Sequence, residues 1–245
     1  MATLGGQADR IVEAFLGLIY PRLCAHCGGV LGAGERFICG GCTGSSPRVR
    51  EPYCTICGLP FTDGAGTAHP CSVCIKSPPP YDMARAPMVY GGAVKKAVHL
   101  YKYRHKRSLI GLLGGYVAEC SPAWFGGTEV VAAVPLHKLR LAERGFNQSL
   151  FLARQAALST GAMLSVDGLV RLRHTRPQMD LGPSERELNV RGAFCVSRPE
   201  EFRGRSVLLV DDVYTTGATV KECCRVLKAA GARSVSVLTV ARTIK

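Results

Sequence analysis

The chain has 245 residues, 47% hydrophobic and 20% charged, enough for one full α/β core with a small appendage. Its 31 Lys and Arg against 18 Asp and Glu leave +13, or near +9 with eight thiolates on two Zn²⁺ (13 − 8 + 4), and so it suits phosphate-bearing partners. No run of 18 apolar residues occurs, which excludes a membrane-spanning helix.

Residues 1–20 are expected to form an amphipathic helix, with Ile11, Phe15, Leu18 and Ile19 on one docking face. Asp9, Arg10 and Glu13 interrupt the apolar stretch and no small-residue cleavage site follows, so the segment does not read as a secretory signal. The expected location is cytoplasmic. There thiols stay reduced, and paired Cys-x-x-Cys motifs favour metal over disulfides.

Residues 21–78 hold four such knuckles, Cys24/Cys27, Cys39/Cys42, Cys54/Cys57 and Cys71/Cys74. Each aims two sulfurs at one point, and two knuckles complete a tetrahedron around Zn²⁺. Sequential pairing gives two double zinc-ribbon sites, Cys24/Cys27/Cys39/Cys42 and Cys54/Cys57/Cys71/Cys74. With sulfur in all four positions both ions would be structural. Pairing of alternate knuckles, an Fe–S cluster and a redox dithiol are the competing readings, and the ferredoxin-type spacing is missing. His26 and His69 are expected as surface imidazoles, and Cys120 and Cys195 as small buried hydrophobes.

The stretch SPPPYD, Ser77 to Asp82, reads as a stiff linker, after which strand and helix patterns alternate over 81–245. KKAVHLYKYRHKRSLIGLLGGYVAEC reads as helical. Its basic half interleaves Lys95, Lys96, Lys102, Arg104, Lys106 and Arg107 with Tyr101 and Tyr103 and carries no acid. Cations track a phosphate backbone and tyrosine rings stack on bases, so this is a candidate single-stranded DNA surface; a solvated helix face is the competing reading.

The buried strand EVVAAVPL empties into a basic loop with Pro135, Leu136, His137, Lys138, Arg140 and Arg144, and the helix of GFNQSLFLARQAALSTG follows. RLRHTRPQMDLGPSERELNVRGAF has few apolar positions and reads as a mobile arm over bound substrate, with Arg173, Thr175 and Gln178 as its candidate contacts. SVLLVDD is a second buried strand, ATVKECCRVLKAAG a helix and SVSVLTVAR a last β-rich run. This succession predicts a parallel sheet with helices on both faces and ligands beyond the strands' carboxyl ends.

The run VLLVDDVYTTGAT, Val207 to Thr219, puts two carboxylates at a strand end and a Thr-rich turn at a helix start. Backbone N–H groups and threonine hydroxyls there suit a monophosphate, with Asp211 and Asp212 placed for sugar hydroxyls. The run resembles the phosphoribosyl-pyrophosphate (PRPP) motif of type I phosphoribosyltransferases. By that resemblance Asp211 and Asp212 hold the ribose, and Thr215, Thr216, Gly217, Ala218 and Thr219 hold the 5′-phosphate. Pro135 to Lys138 would receive pyrophosphate, Arg173 would stabilise its departure, and Mg²⁺ would bridge pyrophosphate and sugar oxygens.

Pro135-Leu136, Arg144-Gly145-Phe146-Asn147-Gln148 and Arg173-x-Thr175-x2-Gln178-x2-Leu181-x4-Arg186-x2-Asn189, with the loop above, resemble the ComF/GntX family. That family joins a zinc module to a phosphoribosyltransferase fold, and members are associated with DNA uptake in competent bacteria. The resemblance implies transfer of phosphoribose to an unidentified acceptor. Single-stranded DNA binding in competence, and PRPP sensing with the zinc module on a DNA-handling protein partner, are the alternatives.

Overall fold

The computed structural model describes residues 21–61, 66–103, 109–176 and 181–244. The expected N-terminal helix, Arg104, Lys106, Arg107 and Gln178 lie outside the described residues.

A parallel sheet runs in the order β1 (Met83–Arg85), β8 (Ser234–Arg242), β7 (Ser206–Tyr214), β3 (Val130–Ala133) and β4 (Met163–Ser165), and β2 (Met88–Val89) also pairs with β8. Val207 to Val210 are all buried, as a central strand covered on both faces requires. On one face α3 (Gly92–Tyr103), α4 (Ile110–Phe125) and α6 (Gln148–Thr160) build a core with Leu208, Val210, Leu238 and Val240. On the other, α8 (Ala218–Ala229) packs Cys223, Cys224 and Leu227 beneath the sheet. Among the described residues no helix is long and apolar enough to cross a membrane.

Three local expectations change. The basic loop after β3 contains a helix, α5 (Lys138–Arg144), capped by the His137 imidazole, which accepts the Leu139 N–H, and by Gly145 at φ +68°. The arm is anchored by an antiparallel ribbon of β5 (Leu169–Arg171) and β6 (Phe194–Val196) and by α7 (Pro183–Val190), which bury Leu169, Val190 and Phe194. The proline stretch ends docked: Tyr81 is 4% exposed, and Asp82 accepts the Val235 N–H at 2.6 Å.

Tyr101 corrects the DNA-surface reading. Val94, Ala97, Val98 and Tyr101 form the buried stripe of α3, and the Tyr101 ring lies 5.6 Å from that of Phe146. Its hydroxyl donates to the Gln148 carbonyl at 3.0 Å, so no face is offered to a base. Tyr101→Ala should lower stability by about 3–5 kcal/mol in urea unfolding and leave the salt slope of any DNA binding unchanged. An unaltered unfolding midpoint would return Tyr101 to the surface.

The cysteine module, with α1 (Gly40–Gly44) and α2 (Ser72–Lys76), covers the sheet edge that parallel strands cannot leave open. Ala84 N–H donates to the Ile56 carbonyl at 2.7 Å, Val49 N–H to Pro87 at 2.8 Å and Val89 N–H to Pro47 at 2.9 Å. Gly58, at φ +70°, comes so close that a Cβ there would sit 2.5 Å from the Ala84 carbonyl oxygen. Leu31 and Ile38 join one core and Cys54 with Cys57 the other, so the module's two halves straddle the edge.

Candidate functional site

The metal centres form first in the chain. The four ligand sulfurs of Cys24, Cys27, Cys39 and Cys42 lie within 4.8 Å of one another, as do those of Cys54, Cys57, Cys71 and Cys74, so the knuckles pair sequentially. Cys27 to Cys39 is 3.8 Å and Cys57 to Cys71 3.9 Å, matching the edge of about 3.8 Å that Zn–S bonds of about 2.3 Å impose on a tetrahedron. Burial opposes ionisation of Cys24 and Cys54, yet backbone N–H groups pull both thiols down to about 6. Cys39 N–H reaches the Cys24 sulfur at 3.4 Å, and Cys57 and Cys71 N–H groups reach Cys54 at 3.4 and 3.2 Å. Soft thiolates in closed tetrahedra fit two structural zinc ions. The second group is buried throughout, whereas Cys27 of the first is exposed.

Beyond the carboxyl ends of β3 and β7 opens a cleft of about 820 Å³. The residues of the expected phosphate loop line it: Asp211 and Asp212 lie near the end of β7, and Thr215 to Thr219 lead into the first turn of α8. Gly217 sits at φ +77°, and a Cβ there would lie 2.6 Å from the Tyr214 ring carbon that bears the hydroxyl. Only glycine lets this turn close on Tyr214.

The two carboxylates are held differently. Asp211 accepts from the Ser149 hydroxyl at 2.8 Å and from the Asp212 N–H at 2.9 Å. Burial and the neighbouring Asp212 charge push Asp211 up to about 6, against the pull of Lys102 and these hydrogen bonds. Asp212 pairs with the Lys102 ammonium at 2.7 Å. Asn147 caps α6, accepting the Ser149 N–H at 3.1 Å and donating to the Val134 carbonyl at 3.2 Å, and so fixes Ser149 beside the dyad.

Pro135, Leu136 and His137, which follow β3 beside β7, line the same cleft. Burial, with His174, Lys138 and Arg171 nearby, holds the His137 imidazole below its usual range, and its Nδ1 accepts the Leu139 N–H. The arm brings His174, Thr175, Arg176, Leu181 and Arg186 to the rim. Arg171 stacks on Phe194 at 5.2 Å and donates to the Thr175 hydroxyl.

Two expected contacts stand elsewhere. Arg173 turns to the carbonyls of Asn189 and Arg191, at 3.1 and 2.7 Å, and clamps the arm. Lys138 is exposed on α5, outside the cleft lining, as is Lys96 on α3, while Lys95 lines the cleft. Sequence reasoning missed Ser149 and the role of Lys102. Ser149 carried a signal, since Asn147 two residues earlier marks a helix N-cap.

The second cysteine group meets the segment that leads into the Thr215–Thr219 turn. Arg242 donates to the Cys57 carbonyl and lies 5.1 Å from the centre of the Tyr214 ring, whose hydroxyl is 2.7 Å from that of Tyr81. Thr243 N–H returns to the Tyr214 carbonyl at 3.0 Å.

A parallel sheet with this strand-end loop, fronted by two four-cysteine groups, defines a phosphoribosyltransferase-fold protein with a double zinc ribbon. Family models agree: a double zinc ribbon domain matches residues 15–75 and a phosphoribosyl transferase domain residues 151–244. The DNA utilization protein YhgH of Escherichia coli is 30% identical over 93% of this chain and 100% of its own length. Competence protein F of Haemophilus influenzae is 29% identical over 89% and 96%, and Competence protein ComFC of Streptococcus pneumoniae 27% identical over 98% and 98%. The chain belongs to the ComF family.

Proposed function

We propose that residues 81–245 bind PRPP and transfer its phosphoribosyl group to an acceptor, with 21–78 as a zinc-stiffened brace. The observation that carries this reading is the Asp211–Asp212 dyad and the Thr215–Thr219 turn lining one cleft with seven lysines and arginines. The 5′-phosphate takes the N–H groups at the start of α8, and the ribose hydroxyls donate to the two carboxylates. Pyrophosphate lies toward Pro135, Leu136 and His137, where Arg171 and Arg144 offset its charge. Attack by the acceptor on the anomeric carbon breaks the bond to pyrophosphate, which leaves with inversion. The arm closes the rim and excludes water.

Carboxylate oxygens opening on the cleft are the donor type that Mg²⁺ takes, so Asp211 and Asp212 would hold it together with the ligand's own oxygens. Bound there, it would neutralise pyrophosphate charge.

The second reading is single-stranded DNA handling. Relatives named for DNA utilization and competence favour it, as does Lys95 at the cleft beside exposed Lys96. In this reading the sites for phosphate serve a strand, and binding weakens with salt by a log–log slope of about −0.7 per phosphate contacted. PRPP sensing with a partner on the zinc module uses the same cleft without transfer.

Calorimetric titration with PRPP, then with single-stranded DNA, separates the readings. PRPP should bind one per chain and weaken DNA binding if the two share the cleft. No heat with PRPP alongside salt-dependent DNA binding would replace the first reading by the second.

A further inference from the structure

PRPP brings about five negative charges, roughly two on its monophosphate and three on its pyrophosphate. Among the described residues lining the cleft seven are Lys or Arg and two are Asp, a balance of +5 (7 − 2). The chain's own charges therefore match this ligand before any metal is added.

One of the seven stands at the dyad itself. Lys102 reaches Asp212 at 2.7 Å with the two side chains 23% and 9% exposed, sheltered well beyond a surface ion pair. Its place is fixed by the residue before it, since Tyr101 is locked in the core and bonded to the Gln148 carbonyl. Ser149, the next residue along α6, holds Asp211. Thus α3 presents an ammonium and α6 a hydroxyl to the paired carboxylates. Burial works against the charge on Lys102, but Asp212 outweighs it and the group stays an ammonium. Three donors on one nitrogen allow one bond to Asp212 with others free to turn toward ligand oxygens.

We propose that Lys102 is the resident cation of the ribose subsite, supplying from the chain the positive charge that reconciles the Asp dyad with pyrophosphate, so that PRPP binds without a divalent metal. The proposal rests on the PRPP reading and makes Lys102 a binding residue of the cleft. Mg²⁺ is then not a condition for binding.

The test is calorimetric titration of PRPP into zinc-loaded protein, with and without Mg²⁺, in buffer stripped of divalent cations by chelating resin. Zinc content is checked before and after. Wild-type affinity should change little between the two buffers. Lys102→Met should lose about 10- to 100-fold without metal, the worth of a charge-assisted hydrogen bond, and recover most of it with Mg²⁺. Lys102→Arg should keep metal-free binding. Wild-type binding only in Mg²⁺ overturns the proposal and leaves PRPP binding standing; so does equal metal-free binding by Lys102→Met. Absence of binding in both buffers overturns the PRPP reading itself. Should Lys102→Met fail to fold, the wild-type comparison decides alone.

Discussion

Replacing Asp211 and Asp212 together by Asn should abolish the rise in Tm that the proposed PRPP binding would give the wild type, with two zinc ions per chain retained. A ligand at a hundred times its Kd stabilises the native state by about 2.7 kcal/mol, and for a domain of this size that is about 5–10 °C. The substitutions keep the shape of the cleft and remove the charge proposed to accept ribose hydroxyls. Asp211→Asn alone, which leaves the Lys102–Asp212 pair in place, should also stabilise the unliganded protein near neutrality. The folded pKa of Asp211, about 6, lies above its ordinary 3.8. Stability from this group is therefore greatest below about pH 4 and is lost as pH rises through 6. Asn has no charge to lose, so the difference in Tm between Asp211→Asn and wild type should widen over that window. A ligand-induced shift that survives the double substitution would show that PRPP is held elsewhere.

The two zinc sites should respond unequally. Cys27→Ser removes an exposed ligand and should cost one zinc while leaving the PRPP response intact. Cys57→Ser removes a buried ligand whose own carbonyl holds the Arg242 guanidinium against Tyr214. The three remaining thiols would stay desolvated without a metal, a loss above about 4 kcal/mol. The phosphate turn, which closes on Tyr214 at Gly217, should lose its ligand response as well. Elemental analysis with ligand-dependent melting of each variant measures both effects. Equal outcomes for the two variants would mean that Arg242 transmits nothing from the second ribbon.

Much of this was legible in sequence wherever the signal was local. The knuckles, the apolar run Val207 to Val210 and the turn Thr215 to Thr219 each lie within a few residues, and each falls where expected. What escaped was set by distant partners. Lys102 belongs to Asp212, and Ser149 to a carboxylate 62 residues on. Strands β5 and β6 were hidden because Leu169 to Arg171 acquires a pairing partner only at Phe194 to Val196. Helix α5 was hidden because HKLRLAER is too charged to show an apolar stripe, and its caps at His137 and Gly145 hold it instead. Tyr101 was legible: Val94, Ala97 and Val98 precede it at the helical period, within a stripe flanked by dense positive charge.

The covered edge strand also dictates an order of folding. Strand β1 finds its partner in β8, some of whose contacts span very long separations; Arg242 and Cys57 lie 185 residues apart. During synthesis the cysteine knuckles emerge early and need only their own short loops to close on a metal. The sheet that they brace must wait for its partner strand to leave the ribosome. Until then the ribbon covers one edge of β1, and the edge that β8 will take stays open. Tyr214 gains Arg242 and Thr243 only once β8 has docked, so the turn at Gly217 takes its final setting after the ribbon has formed.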